Sequence, residues 1–328
     1  MILRVDDPDG QYAAVRLCSD LHLESRDFLR ENGGWVLQLP PAQLARLEYE
    51  LETVDHDGDS RVALDPSNPN RAPGAFGEKS VALADDYAPP WWLEAPQVEG
   101  TRDTVTVRVL GQSLEIEVFS PEEGELPLLL AHDGPEYDRL AGLTRYASAV
   151  IADLAVSPFR VALLPPGARN EWYSASAHYA RALTRRIIPA LRDAFPVAGR
   201  PVGMGASLGG LAMLHAQRTY PGTFAGLFLQ SASFFVNRFD RHESSFPRYN
   251  RIVRFVGGVL RADNAAEVLP VAMTCGTEEE NIYNNRLMAA ALARQGYVAK
   301  LDEVPDMHNY TGWRDAFDPY LTRLLEDW

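Results

Sequence analysis

The chain has 328 residues, 46% of them hydrophobic, with 45 acidic against 31 basic side chains and a net charge of -14. That length accommodates one large α/β domain with a smaller companion, and the acidity argues against binding nucleic acid through its phosphates or docking on anionic lipid. The only cysteines, Cys18 and Cys275, lie far apart in sequence, so no disulfide framework is expected, and no run of residues approaches the length of a membrane span.

The first residues, Met1-Ile2-Leu3-Arg4-Val5-Asp6-Asp7, lack a basic region followed by an apolar stretch. No secretory signal is expected, and with two lone cysteines a cytoplasmic location is the default. Residues 1–95 then alternate polar and apolar side chains in short segments, such as Tyr12-Ala13-Ala14-Val15-Arg16-Leu17 and the run from Leu47 to Val54, broken by Asp, Gly, Asn and Pro. A period of two with turn residues between segments predicts a small β-sandwich.

Two segments in this part imitate metal sites. Ser19-Asp20-Leu21-His22 resembles the opening block of metallophosphoesterases, but no Gly-Asn-His block follows it. Asp55-His56-Asp57-Gly58-Asp59 spaces carboxylates as a calcium loop does, but its glycine comes too early and Pro66 stands where a glutamate is needed. A hairpin turn is the expected structure there, and no metal or cofactor is expected in the chain. A Pro/Asn-rich stretch at residues 65–74 and Ala88-Pro89-Pro90-Trp91-Trp92 mark a linker, with the tryptophan pair read as a packing anchor rather than a sugar platform.

Over residues 96–328, strands alternate with helices, which predicts a mostly parallel sheet covered on both faces. Thr104 to Val109 and Ser113 to Phe119 form an opening hairpin. Later strands are expected at Leu126–Ala131, Phe159–Leu164, Val202–Met204, Gly226–Leu229, Leu269–Thr274 and Val298–Val304. Helices are expected at Asp138–Leu154, Ala175–Ala194, Leu208–Tyr220, Arg248–Leu260, Asn281–Gln295 and Trp313–Leu325.

Gly205-Ala206-Ser207-Leu208-Gly209 fits the pattern that puts a serine on a strained turn between a strand and a helix. Glycine is needed where a side chain would strike the neighbouring backbone, and the flanking strand-like and helix-like segments supply the required context. A serine hydroxyl needs a histidine to take its proton and a carboxylate to orient that histidine, in the order serine, acid, histidine on sheets of this type.

His242 and His308 are candidates for the base. His242 precedes the acid cluster at the last strand end, which leaves His308 in Pro305-Asp306-Met307-His308-Asn309-Tyr310. Three glutamates follow Cys275-Gly276-Thr277. Glu279 is the expected acid, with Glu278 and Glu280 as alternatives suited to a helix start. The oxyanion donors are expected from Leu208 N–H and from His132-Asp133-Gly134-Pro135-Glu136-Tyr137, where Pro135 has no N–H, so the second donor is Gly134, Glu136 or a side chain; Gly134 is preferred.

Taken together, HDGPEY at 132–137, ARNEWY at 168–173, GMGASLGG at 203–210, CGTEEEN at 275–281 and HNYTGWRD at 308–315 resemble the enterochelin esterase family, within a wider group of feruloyl esterase-like and mycolyltransferase-like α/β hydrolases. The resemblance spans about residues 90–328, and the front segment looks like the immunoglobulin-like domain some of these esterases carry. It implies an α/β-hydrolase fold, a small-molecule ester substrate and an acyl-enzyme mechanism, with a catecholate siderophore ester as one substrate class. General aryl, feruloyl or short-chain acyl esters are alternatives, and a catalytically silent binding protein on the same scaffold is the non-enzyme alternative. An anionic aromatic ligand calls for arginines and aromatic faces, for which Arg169, Trp172, Tyr173, Arg238, Tyr310 and Trp313 are the candidates.

Overall fold

The computed structural model describes residues 1–40 and 44–326. The chain divides into two compact units. The first holds Met1–Ala88 together with Gly276–Glu279 and Val304–Gly312; the second holds Pro89–Cys275, Glu280–Glu303 and the chain from Trp313 on.

The first unit is antiparallel β structure. Its strands are β1 (Ile2–Asp6), β2 (Tyr12–Cys18), β3 (Leu29–Glu31), β4 (Gly34–Gln38), β5 (Arg46–Asp55), β6 (Ser60–Ala63), β7 (Arg71–Ala72) and β8 (Lys79–Leu83). They form one sheet ordered β1-β4-β3 and a second ordered β2-β5-β8-β7, with β6 paired to β5. Alternation decides which side chains point inward: Leu3 and Val5 of β1, Val15 and Leu17 of β2, Trp35 and Leu37 of β4, and Leu47, Tyr49 and Leu51 of β5 share one core. The two sheets therefore pack as a sandwich. Met307, far along the chain, belongs to the same core.

Asp55–Asp59 is the β5–β6 turn. Asp55 Oδ1 accepts from the N–H groups of Asp57 and Asp59, both at 2.9 Å, and Gly58 takes φ 91°.

The second unit is built on an eight-stranded sheet of β9 (Thr101–Val109), β10 (Gln112–Ser120), β11 (Leu128–His132), β12 (Arg160–Leu164), β13 (Val202–Ala206), β14 (Gly226–Gln230), β15 (Pro270–Gly276) and β16 (Val298–Val304). The order is β16-β15-β14-β13-β11-β12-β10-β9, with β9, β10 and β12 antiparallel and the run from β12 through β11, β13 and β14 to β15 parallel. Every residue of β11, β12, β13 and β14 is buried, as expected of parallel strands covered on both faces. This is an α/β-hydrolase fold preceded by a β domain.

The helices are α1 (Gly134–Ala141), α2 (Leu143–Ala152), α3 (Arg169–Trp172), α4 (Ala177–Ala182), α5 (Ile188–Ala194), α6 (Leu208–Thr219), α7 (Tyr249–Arg261), α8 (Ile282–Arg294), α9 (Tyr310–Asp315) and α10 (Thr322–Leu325). Three long helices expected from periodicity are interrupted. Gly142 adopts φ 65° and its N–H returns to Asp138 O at 3.0 Å, which ends α1 and opens α2. Leu183–Ile187 widens to a π turn just ahead of Pro189, whose missing N–H the wider turn accommodates. Between α9 and α10 the chain breaks at Asp318, whose φ -104° and ψ 127° are extended rather than helical. Trp92 is fully buried, stacked on Phe317 at 6.1 Å and edge-on to Tyr146 at 5.5 Å, whereas Trp91 is partly exposed and donates through Nε1 to Asp318 Oδ2 at 2.7 Å.

Candidate active site

Ser207 stands at the end of β13, where the chain must pass from strand to helix without an intervening loop. It does so at φ 54° and ψ -125°, a conformation costly for any residue with a side chain. The surroundings hold it there. Ser207 N–H donates to Gln230 O at 2.9 Å, and its carbonyl accepts from Ser233 N–H at 3.0 Å and Leu211 N–H at 3.2 Å.

The glycines permit the close approach. A Cβ on Gly205 would lie 2.6 Å from the Gly209 carbonyl carbon, and one on Gly209 would lie 3.2 Å from His132 Cβ. Because Leu211 is the first N–H of α6 to reach back along the helix, those of Leu208, Gly209 and Gly210 lie outside the helical ladder. They give the turn a positive N-terminus, suited to a developing oxyanion. The hydroxyl of Ser207 lies 3.0 Å from that of Ser233.

The loop after β11 supplies a second helix start. Asp133 takes φ 51° and Tyr137 N–H is the first to bond back, to Asp133 O at 2.9 Å, so the N–H groups of Gly134 and Glu136 also lie outside the ladder. Gly134 has no room for a side chain: a Cβ there would lie 2.3 Å from Leu163 Cα.

Glu279 and His308 are brought together within the first unit. His308 Nδ1 lies 2.8 Å from Glu279 Oε2, and because a carboxylate only accepts, Nδ1 carries the proton. Glu279 Oε1 accepts from Gly276 N–H at 2.9 Å, and the carboxylate is 1% exposed against 36% for the imidazole. The three neighbouring glutamates thus have different fates. Glu278 is half-buried, and Glu280 is exposed and pairs with His242 Nε2 at 3.1 Å. His215, also downstream of Ser207, lies inside α6 edge-on to Phe255, and burial lowers its pKa to about 4.

The six residues expected to line a ligand site have separate placements. Arg169 is engaged by the buried Asp133, with Nε at 2.9 and 3.0 Å from its two oxygens and Nη2 at 2.8 Å from Oδ2. Trp172 is buried and stacked on Tyr179, and Tyr173 is fully buried and stacked on His132. Trp313 is buried and donates through Nε1 to Ser231 Oγ at 3.0 Å. Tyr310 is half-buried, and Arg238 is exposed with its guanidinium over the Phe239 ring.

His132 has a role that the sequence reading did not reach. It is fully buried at the end of β11, with Nδ1 at 3.0 Å from Gly209 O and Nε2 at 2.8 Å from Tyr179 Oη. A carbonyl only accepts, so Nδ1–H donates to the first turn of α6 and Nε2 accepts from the tyrosine. Burial lowers its pKa from the ordinary 6.5 to about 4. In that window the unfolded chain binds the proton and the folded chain does not, so the contribution is intact above about pH 6.5 and is lost as pH falls toward 4. Urea denaturation at neutral pH and near about pH 5 is expected to show a smaller loss of stability for His132→Gln than for the wild type, whatever the variant's cost at neutral pH.

Among the described residues, His242, Glu243 and Glu280 offer ligand atoms within 4.8 Å of one another. They are exposed or half-buried, and the His242–Glu280 contact already pairs two of them. Among the described residues no helix is long and apolar enough to cross a membrane.

A family model described as "Putative esterase" matches residues 108–324, about two thirds of the chain. The chain belongs to this esterase family. No curated protein matches its sequence. Solved structures similar to this esterase include the ferric enterobactin esterase of Salmonella typhimurium, 16% identical with a TM-score of 0.77 over 98% of this chain and 92% of that one. The enterobactin esterase FES of Shigella flexneri is 18% identical, with a TM-score of 0.74 over 99% and 92%. A ferulic acid esterase is 16% identical, with a TM-score of 0.57 over 71% of this chain and 99% of that one. The two enterobactin esterases share the fold over nearly the whole chain, front β domain included, and the ferulic acid esterase shares it over 71% of the chain.

Proposed function

We propose that this esterase is a serine hydrolase working through an acyl-enzyme, with Ser207 as nucleophile, His308 as its base and Glu279 as the carboxylate that holds the imidazole. Two observations support this reading, each within its own unit: a serine held in a strained strand-to-helix turn, and a histidine whose Nδ1 is already committed to a buried carboxylate. Ser207 Oγ attacks the ester carbonyl while His308 Nε2 takes its proton. Leu208 and Gly134 N–H groups bind the oxyanion, and the imidazolium returns the proton to the departing alcohol. Water, deprotonated by the same histidine, then releases the acid and restores the serine hydroxyl.

Residues 1–95 form the accompanying β domain and 96–328 the catalytic domain in this reading. The substrate class we favour is an aryl ester of the catecholate type, because the likeness to enterobactin esterases covers nearly the whole chain, β domain included, while that to the ferulic acid esterase covers 71% of it. Arg238 and Tyr310, which retain exposure, are proposed to meet an anionic aromatic acyl group.

A fluorophosphonate probe tests the nucleophile: the wild type is expected to be labelled at Ser207, and Ser207→Ala and His308→Ala are expected to resist. Labelling that survives in both variants refutes the assignment. Turnover of p-nitrophenyl acetate, methyl ferulate and enterobactin, the last with and without iron, then ranks the substrates. Equal and feeble rates on all three reject the catecholate class.

A further inference from the structure

Strand β5 of the sandwich begins with Arg46, an arginine only 2% exposed. Its Nη2 donates to Asp306 Oδ2 at 2.6 Å and to Asn309 Oδ1 at 3.2 Å, and its Nη1 lies 3.5 Å from Glu48 Oε1. Asp306 and Asn309 bracket His308. Each is tied down again: Asp306 Oδ1 accepts from Met307 N–H at 2.8 Å and Asn309 Nδ2 at 3.0 Å, and Asn309 Oδ1 accepts from Gly312 N–H at 2.7 Å. Ala45, the residue before Arg46, adds a backbone bond from its N–H to Pro305 O at 2.7 Å, and the Met307 side chain is buried in the sandwich core. All of these residues lie in the first unit, with Glu279.

We infer that Arg46 is a positioning residue for His308: the β domain contributes a buried guanidinium that clamps both sides of the histidine loop and so holds the imidazole against Glu279. The inference rests on the assignment of His308 as the base. An arginine suits the task because its planar fork reaches Asp306 and Asn309 from one nitrogen while a second faces Glu48, which a lysine ammonium on a flexible stem would not reproduce. Burial pushes the carboxyls of Asp306 and Glu48 upward and the charge of Arg46 opposes that push, so removing it leaves two buried acids uncompensated.

The test uses the full chain and four variants: Arg46→Met, Arg46→Lys, Arg46→Met/Asp306→Asn and, as a control for lost stability alone, Val15→Ala in the same core. Steady-state hydrolysis of p-nitrophenyl acetate is read beside the low-field proton resonance of His308 Nδ1–H, assigned by its loss in His308→Ala. Arg46→Met is expected to lower kcat about 10- to 100-fold with KM changed less than about threefold, and to broaden or abolish the resonance. The double variant is expected to regain thermal stability but not kcat, and Arg46→Lys to recover part of it. Val15→Ala is expected to lose stability while keeping both kcat and the resonance.

Arg46→Met or, if that variant does not fold, Arg46→Lys with unchanged kcat and an intact resonance overturns the inference. So does recovery of kcat in the double variant. The resonance reports the His308–Glu279 pair whether or not Ser207 is the nucleophile, and fluorophosphonate labelling of the wild type tests the nucleophile alone, so the two failures are separable.

Discussion

Ser207→Ala is expected to lower kcat on p-nitrophenyl acetate by roughly 10⁴- to 10⁶-fold, leaving the residual rate that a binding site with oxyanion donors provides without a nucleophile. Its stability is expected to stay close to that of the wild type, because the half-buried Ser207 hydroxyl bonds another hydroxyl, that of Ser233. Glu279→Gln is expected to cost roughly 10²- to 10⁴-fold for a different reason. The carboxylate accepts from Gly276 N–H through one oxygen and from His308 Nδ1–H through the other. An amide can keep only one of these bonds, and if its NH₂ faces the imidazole, the favoured tautomer places the proton on Nε2, where the base must be free. Glu280→Gln removes a surface contact with His242 and is expected to leave kcat within about threefold. Steady-state kinetics on the three variants, with thermal unfolding as a check of folding, decide the matter. A loss at Glu280 equal to that at Glu279 would reassign the acid.

What could be read from the sequence is what is local in the chain. The turn at Ser207 is written in two glycines four residues apart, Gly205 and Gly209, and the reason is steric and short-range, so the pattern carries its own geometry. Strand limits lie close to those observed because buried parallel strands are nearly continuous apolar runs, as Gly226–Gln230 and Arg160–Leu164 illustrate. Helix continuity was harder. A glycine inside an apolar periodicity reads as a tolerated defect, whereas Gly142 takes a left-handed conformation and divides two helices.

Long-range pairing was out of reach. Arg169 looks like a ligand-binding arginine until Asp133, 36 residues earlier, is seen to hold it, and Arg46 bonds an aspartate 260 positions away. Aromatic residues present a similar difficulty: Trp172 and Tyr173 have the composition of a ligand platform and the burial of a core. His132 shows the same limit for polar groups, since only the fold reveals that Gly209 and Tyr179 occupy both of its nitrogens.

Gly205→Ala tests whether the approach of β13 to α6 is as close as its function requires. The added methyl would sit 2.6 Å from the Gly209 carbonyl carbon, 2.8 Å from its oxygen and 3.0 Å from Gly210 N, all backbone atoms. No side chain can rotate to relieve the contact, so the first turn of α6 must move off the strand, carrying the Leu208 N–H and tilting Ser207. A cost of about 1–3 kcal/mol in stability is expected from the overpacking. The displacement at the nucleophile is expected to slow fluorophosphonate labelling by roughly 10²-fold. Gly258, in the middle of α7 with nothing within 4 Å of an added Cβ, is the matched control. There alanine is expected to stabilise by about 0.5–1 kcal/mol and to leave labelling unchanged, because helix propensity acts without a packing penalty. Urea denaturation and labelling rates measured on both variants separate the cases: a Gly205→Ala protein as stable and as quickly labelled as the wild type would mean that the turn has slack and that Ser207 is not held by it.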